Sequence, residues 1–251
     1  MDFLKSIKNN ENITIDFVGD SITYGLNHCR PEETYVAKFA AFLGEKYKSH
    51  TVIRYDGIAK GEYENMQSFD GPILVSLGEG KGKIDVVRNG VGGNTVVRAH
   101  NRIDDFTGTL ANGQTPDITF MMFGINDSIT AVEEKYATPE QFKLNYKNLI
   151  DDVKKHNPDT FIIIMGPTYN DFSVTEHGEK ARELAKEKGI PFIDMHKLWM
   201  EHYVDGADNF GQGDWLVGGT DACHFTPLSA EISAKYMFDE FMKIVGEEYY
   251  V

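Results

Sequence analysis

Apolar residues along this chain gather into short unbroken runs separated by longer amphipathic stretches. Residues 13–18 form a β-branched run closed by Gly19 and predict an opening strand. Residues 35–47 (YVAKFAAFLGEKY) carry apolar positions at helical spacing. A second strand is predicted over 84–87, ending at Asn89-Gly90, and a third over 117–123 (DITFMMF), ending at Gly124. Residues 139–156 read as a helix: Thr138 caps it, Pro139 fits its first turn, and Asn157-Pro158 stops it. The run 161–165 (FIIIM) is the most apolar of all, as expected for a strand covered on both faces. A helix over 176–188, a last strand over 191–195 and a closing helix over 227–245, capped by Thr226, complete the pattern.

Strands alternating with helices through short links predict a three-layer α/β/α fold with a mainly parallel central sheet. In such sheets ligands bind beyond the carboxyl ends of the strands, so chemistry is expected just after each one. Residues 51–83 break the alternation with two strand-like pieces, 51–55 and 73–77, and read as an inserted hairpin or edge extension. No repeat or linker divides the chain, so residues 1–251 are expected to form one domain.

Charge narrows the partners. With 25 Lys and Arg against 39 Asp and Glu, the net charge of −14 argues against nucleic-acid binding and against docking on an anionic membrane. No stretch approaches the ~20 apolar residues that span a bilayer. The first residues reach polar Asn9-Asn10-Glu11-Asn12 without the apolar run of a signal peptide, which predicts a cytoplasmic protein. The two cysteines, Cys29 and Cys223, lack a Cys-x-x-Cys spacing and are expected as free thiols. No HExxH or clustered His/Asp motif suggests a metal, and no cofactor is expected.

The first strand runs into Gly19-Asp20-Ser21-Ile22-Thr23, which places a serine hydroxyl on a tight turn. Ser21 alone reads equally as a helix cap. As a nucleophile it needs a base. Of the eight histidines, His50, His156 and His177 fall in polar surface contexts, and His196 and His202 flank an amphipathic helix around Leu198-Trp199. His224 differs, since it stands in a loop before the last helix with Asp221 three residues upstream, a spacing that lets a carboxylate hold the imidazole. Oxyanion donors are available after two other strands: the glycines of Gly90-Val91-Gly92-Gly93-Asn94-Thr95, and the amide of Asn126 in Gly124-Ile125-Asn126-Asp127. The glycine loop fails as a dinucleotide fingerprint, because Thr95 stands where a third glycine is needed.

These four segments, in this order, resemble the sequence blocks of the SGNH (GDSL-type) hydrolases and extend over residues 19–224. The resemblance implies a flavodoxin-like SGNH fold with Ser21 as nucleophile, His224 as base and Asp221 as the orienting acid. It implies an oxyanion hole made by the backbone N–H groups of Ser21 and Gly93 with the Asn126 amide. Asp20 and Trp215 are expected at the substrate, Trp215 because the glycine-rich stretch 209–219 leads directly into Asp221 and its ring can stack on a sugar. The sequence departs from the family at Arg88, where Asn is frequent, and at Cys223 and Phe225 around the histidine. The implied activity is a serine esterase on short-chain carboxylic esters, above all O-acetyl groups on carbohydrates. A lysophospholipase or acyl-thioesterase using the same triad is the alternative. The implied partner is a small-molecule ester; homo-oligomerisation and the role of 51–83 stay open.

Overall fold

The buried run that opens the chain becomes the centre of the sheet. The computed structural model describes residues 2–25, 29–56, 72–168, 172–201, 216–218 and 221–246, with the side chains of 172, 173, 200, 216–218 and 221–223 outside that description. β1 (Ile13–Gly19) is buried at all seven positions because helices cover both faces of the sheet. Alternation along the strand sends Ile13, Ile15 and Phe17 into one core and Val18 into the other.

The remaining strands of this sheet are β2 (Thr51–Asp56), β3 (Ile73–Ser76), β4 (Lys83–Gly90), β5 (Ile118–Met122), β6 (Phe161–Met165) and β7 (Phe192–Ile193). Their spatial order is β3-β2-β4-β1-β5-β6-β7. Every neighbouring pair is parallel except β2 with β3. The segment 51–83 therefore does form an antiparallel pair at the sheet edge, and its first strand also joins the parallel sheet through β4.

Helices α3 (Tyr35–Lys46) and α9 (Pro227–Val245) bury Phe39, Leu43, Phe238 and Phe241 on one face. α6 (Pro139–His156) and α7 (Phe172–Lys188) bury Phe142, Tyr146, Leu149, Leu184 and Ala185 on the other. The caps expected from sequence are present: Thr138 Oγ1 accepts from Gln141 N at 3.3 Å and Thr226 Oγ1 from Ser229 N at 3.3 Å. Among the described residues, no helix is long and apolar enough to cross a membrane.

Register matters most for function. Gly19 of β1 lies opposite Gly90 of β4 and Met122 of β5, so three strands end at one level on either side of the point where strand order reverses. Phe17 and Phe120, paired in that register, stack at 4.5 Å between ring centroids with planes 4° apart. Slipping either strand by one residue would turn one ring into the opposite core, so the stack holds the level of the loops above it.

Four local expectations are corrected. Residues 191–195 give a two-residue β7, because Met195 already opens α8 (Met195–Glu201). The helix expected over 176–188 begins at Phe172. The segment around His224, expected as a loop, is a strand, β9 (Asp221–Phe225), paired antiparallel with β8 (Leu216–Gly218). His50 and His177, expected at the surface, are 0% and 1% exposed. Their ring nitrogens are matched inside the protein: His50 contacts Ser49 Oγ and Glu11 O, and His177 contacts Ala137 O. Burial of a histidine is permitted once its polar atoms find partners.

Candidate active site

β1 ends at Gly19, and the chain turns at once into α2 (Ser21–Tyr24). Asp20 caps this short helix: its Oδ1 accepts from Ile22 N at 2.9 Å. Ser21 thus occupies the first helical position and is 9% exposed. The end of α2 is clamped by Arg88, which donates from Nη1 to Tyr24 O and lies with its guanidinium 5.3 Å from the centroid of the Tyr24 ring. A cation at a helix C-terminus complements the helix dipole. Arg88, the departure noted in the sequence, therefore supports the helix that carries Ser21, while neighbouring Asn89 anchors the glycine loop: Arg102 donates to Asn89 Oδ1 and to Asn89 O at 3.0 Å each.

Two side chains of β9, His224 and Phe225, are described, and they face opposite ways. Phe225 turns into the core, stacked on Trp199 at 5.3 Å, and His224 turns the other way. His224 Nε2 stands 2.8 Å from Ser21 Oγ, across 203 residues of sequence. Two residues later the chain is locked by a reciprocal cap, in which Thr226 N donates to Ser229 Oγ at 2.9 Å and Ser229 N to Thr226 Oγ1 at 3.3 Å. Asp221 has its backbone in β9, but its side chain lies outside the described residues, as do Trp215 and the side chain of Cys223.

The other two strand ends deliver the oxyanion candidates. The glycine loop leaves β4 with Val91 N donating to Gly19 O at 3.1 Å, and Asn94 Nδ2 reaches the same oxygen at 3.4 Å. Gly90 must lack a side chain, since a Cβ there would stand 2.3 Å from Tyr24 N and 2.8 Å from Asp20 O. Gly93 has φ 69°, a left-handed conformation that favours glycine. Asn126 opens a single 3-10 turn (Asn126–Ser128) after β5 and is buried.

Asp20, expected to touch substrate, is 1% exposed, and its second oxygen accepts from Asn126 Nδ2 at 3.4 Å. Burial raises its pKa to about 6, against the opposing effects of the Ile22 N–H and His224. Asp127 is also buried and supports the loops: burial lifts its pKa to about 7, and its Oδ1 accepts from Val96 N. A small cleft beside the serine–histidine pair is lined by Ile22, Cys29, Tyr35 and Phe225. Cys29 is a free thiol there, with Sγ 3.4 Å from Phe225 O. Trp199 and Phe225 are core residues, 3% and 5% exposed. Among the described residues, no group of three or more His, Cys, Asp or Glu stands close enough to hold a metal ion.

Comparisons with known proteins bear on the family and the fold. The model of the GDSL-like Lipase/Acylhydrolase family matches residues 73–232, a span that includes Gly93, Asn126 and His224. No curated protein matches the chain in sequence. Solved structures of similar fold include the acetyl xylan esterase AlAXEase, with TM-score 0.61 and 17% identity over 90% of this chain and 98% of that one. Axe2, an acetylxylan esterase from Geobacillus stearothermophilus, gives TM-score 0.59 and 20% identity over 95% and 96%. A two-domain esterase active on acetylated mannans gives TM-score 0.64 and 17% identity over 98% of this chain and 54% of that one.

Proposed function

The chain belongs to the GDSL-like Lipase/Acylhydrolase family, and on that footing we propose that this carboxylic ester hydrolase removes short acyl groups, chiefly O-acetyl groups on carbohydrates, through an acyl-enzyme on Ser21. The observation that carries the reading is the 2.8 Å approach of His224 Nε2 to Ser21 Oγ at the level where three strands end. Ser21 Oγ attacks the ester carbonyl while His224 Nε2 takes its proton. The tetrahedral oxyanion is held by the N–H groups of Ser21 and Gly93 and by Asn126 Nδ2, each donor worth ~10²–10³ in rate. His224 then returns the proton to the leaving alcohol, and water, activated by the same imidazole, releases the acid. Asp221, three residues before His224 on the same strand, is assigned to orient the imidazole. Trp215 is assigned to the sugar.

Two observations support a short acyl group on a soluble substrate. The cleft beside Ser21 is small and closed by Tyr35 and Phe225. A net charge of −14 disfavours an anionic lipid surface. The structural neighbours active on acetylated xylan or mannan support the carbohydrate part of the reading.

The test is a panel of acetylated xylo- and manno-oligosaccharides, p-nitrophenyl esters of increasing chain length and acyl-CoA, run beside Ser21→Ala. Acetate release that Ser21→Ala abolishes, with a steep fall beyond butyryl, is the expected result. A preference for long acyl chains or for thioesters would transfer the site to the lysophospholipase or thioesterase reading.

A further inference from the structure

Lys135 converges on the candidate oxyanion donors without a part in the reaction as described, beside Arg98, whose Nη1 donates to Gly93 O at 3.5 Å. Lys135 lies half-buried in the segment between the 3-10 turn and α6. That segment folds back on the turn: Lys135 N donates to Val132 O, and Ala137 N donates to Asp127 O, both at 2.9 Å. The fold-back sets Lys135 Nζ 3.4 Å from Asn126 Oδ1. It also brings Nζ within 3.0 Å of the point where a Cβ would stand on Gly93. Lys143, Lys180 and Lys188 all meet carboxylates, whereas Lys135 meets none among the described residues and faces the amide instead.

The other edge of that amide meets a carboxylate oxygen, Asp20 Oδ2, at 3.4 Å. With an ammonium against the oxygen and a carboxylate against the nitrogen, the amide has one stable orientation. Its flip would set N–H groups against the ammonium and a carbonyl against the carboxylate. One Nδ2 hydrogen goes to Asp20, and the second is left to donate. A positive charge on Oδ1 also draws electron density from the nitrogen, which strengthens the remaining N–H as a donor.

We infer that Lys135 is a positioning residue of the oxyanion hole, holding the Asn126 amide in its donating orientation and polarising it. The inference rests on the esterase reading above for its kinetic consequence, and on the geometry alone for its structural one. Lys135→Met lowers kcat on p-nitrophenyl acetate about tenfold, a fraction of the loss from removing the donor itself, and leaves KM within about twofold. Lys135→Arg recovers most of the loss. In an Asn126→Ala background, Lys135→Met changes kcat by less than about twofold, because its route through the amide is gone. A kcat within twofold of wild type in Lys135→Met, or the full tenfold loss in the Asn126→Ala background, overturns the inference.

A second readout needs no turnover. The side-chain amide resonances of Asn126, identified by their absence in Asn126→Ala, are followed by ¹⁵N NMR in wild type and Lys135→Met. A clear displacement is expected, and unchanged shifts overturn the positioning role. A wild type that hydrolyses no ester while its Asn126 resonances move on Lys135→Met sinks the esterase reading and leaves the positioning role standing.

Discussion

Asp127 Oδ1 accepts a hydrogen bond from Val96 N at 3.0 Å, which ties the loop that carries Asn126 to the first turn of the helix that follows Gly93. That helix, α4 (Val96–Asn101), is capped by Thr95 and inherits its position from the glycine loop. The two loops that carry Gly93 and Asn126 are thereby fixed to one another by a buried carboxylate.

Cutting this tether tests its worth. Asp127→Ala leaves Val96 N without its acceptor and frees the two loops from each other; a kcat loss of about tenfold to a hundredfold is expected from donors displaced by a fraction of an ångström. Asp127→Asn keeps an acceptor oxygen and removes the charge, so its kcat loss is the smaller one. Steady-state kinetics on a short acyl ester decide. Equal losses in both variants would mean that the charge, rather than the tether, is what the site uses.

The close passage of α2 over the end of β4 makes a second prediction. A Cβ at Gly90 would stand 2.3 Å from Tyr24 N and 2.6 Å from Thr23 C, both backbone atoms that no side-chain rotation can move aside. Gly90→Ala must push α2, and Ser21 with it, away from His224. The expected result is slower labelling of Ser21 by a fluorophosphonate, by about tenfold or more, in protein that still folds. Unchanged labelling would show that β4 yields rather than α2.

These relationships mark what could be read from sequence and what could not. The runs that became β1, β5 and β6 were legible because both sheet faces are covered, which makes most of their positions apolar. The places of Ser21, Gly93 and Asn126 in the fold were legible because each stands shortly after a strand's end, and that of His224 because it precedes a capped helix. The short α1 (Phe3–Lys8) went unread: it is six residues long, and it is held by Phe3 packing edge-on against Phe241 and Tyr47 from distant elements. His50 and His177 misled because their neighbours in sequence are polar, whereas the fold buries both rings and matches their nitrogens inside the protein. Lys135 carried no signal at all, since only the fold-back of its segment brings it to Asn126.

Cys29 lines the cleft beside Ser21, yet its thiol is poorly placed to react. Burial, with the Glu33 carboxylate adding to it, raises its pKa to about 11. At pH 8 the thiolate, which is the reacting form, is then on the order of a thousandth of the total. Iodoacetamide should modify Cys29 far more slowly in folded protein than after denaturation, as followed by mass spectrometry. Cys29→Ala should keep kcat within about threefold, because the side chain donates only to Phe225 O and no catalytic proton passes through it. Rapid alkylation of the native protein would contradict the burial argument.

Asp16 offers the last test, one of stability rather than rate. It lies on β1 within the sheet, fully buried, and desolvation raises its pKa to about 8 despite the opposing charge of Arg102. In the unfolded chain an aspartate releases its proton near pH 3.9. Between those values the folded state holds a proton that the unfolded state has lost. Stability contributed by this residue is therefore complete below about pH 4, declines as pH rises, and levels off above about pH 8. Asp16→Asn removes the titration while keeping the shape. Its melting temperature relative to wild type should climb steadily from pH 5 to pH 8, at about 2–4 °C for each kcal/mol of relief in a chain of this size. Scanning calorimetry across that range checks it, and a difference between the two proteins that stays constant with pH would show that Asp16 is ionised in the folded state, paired with Arg102.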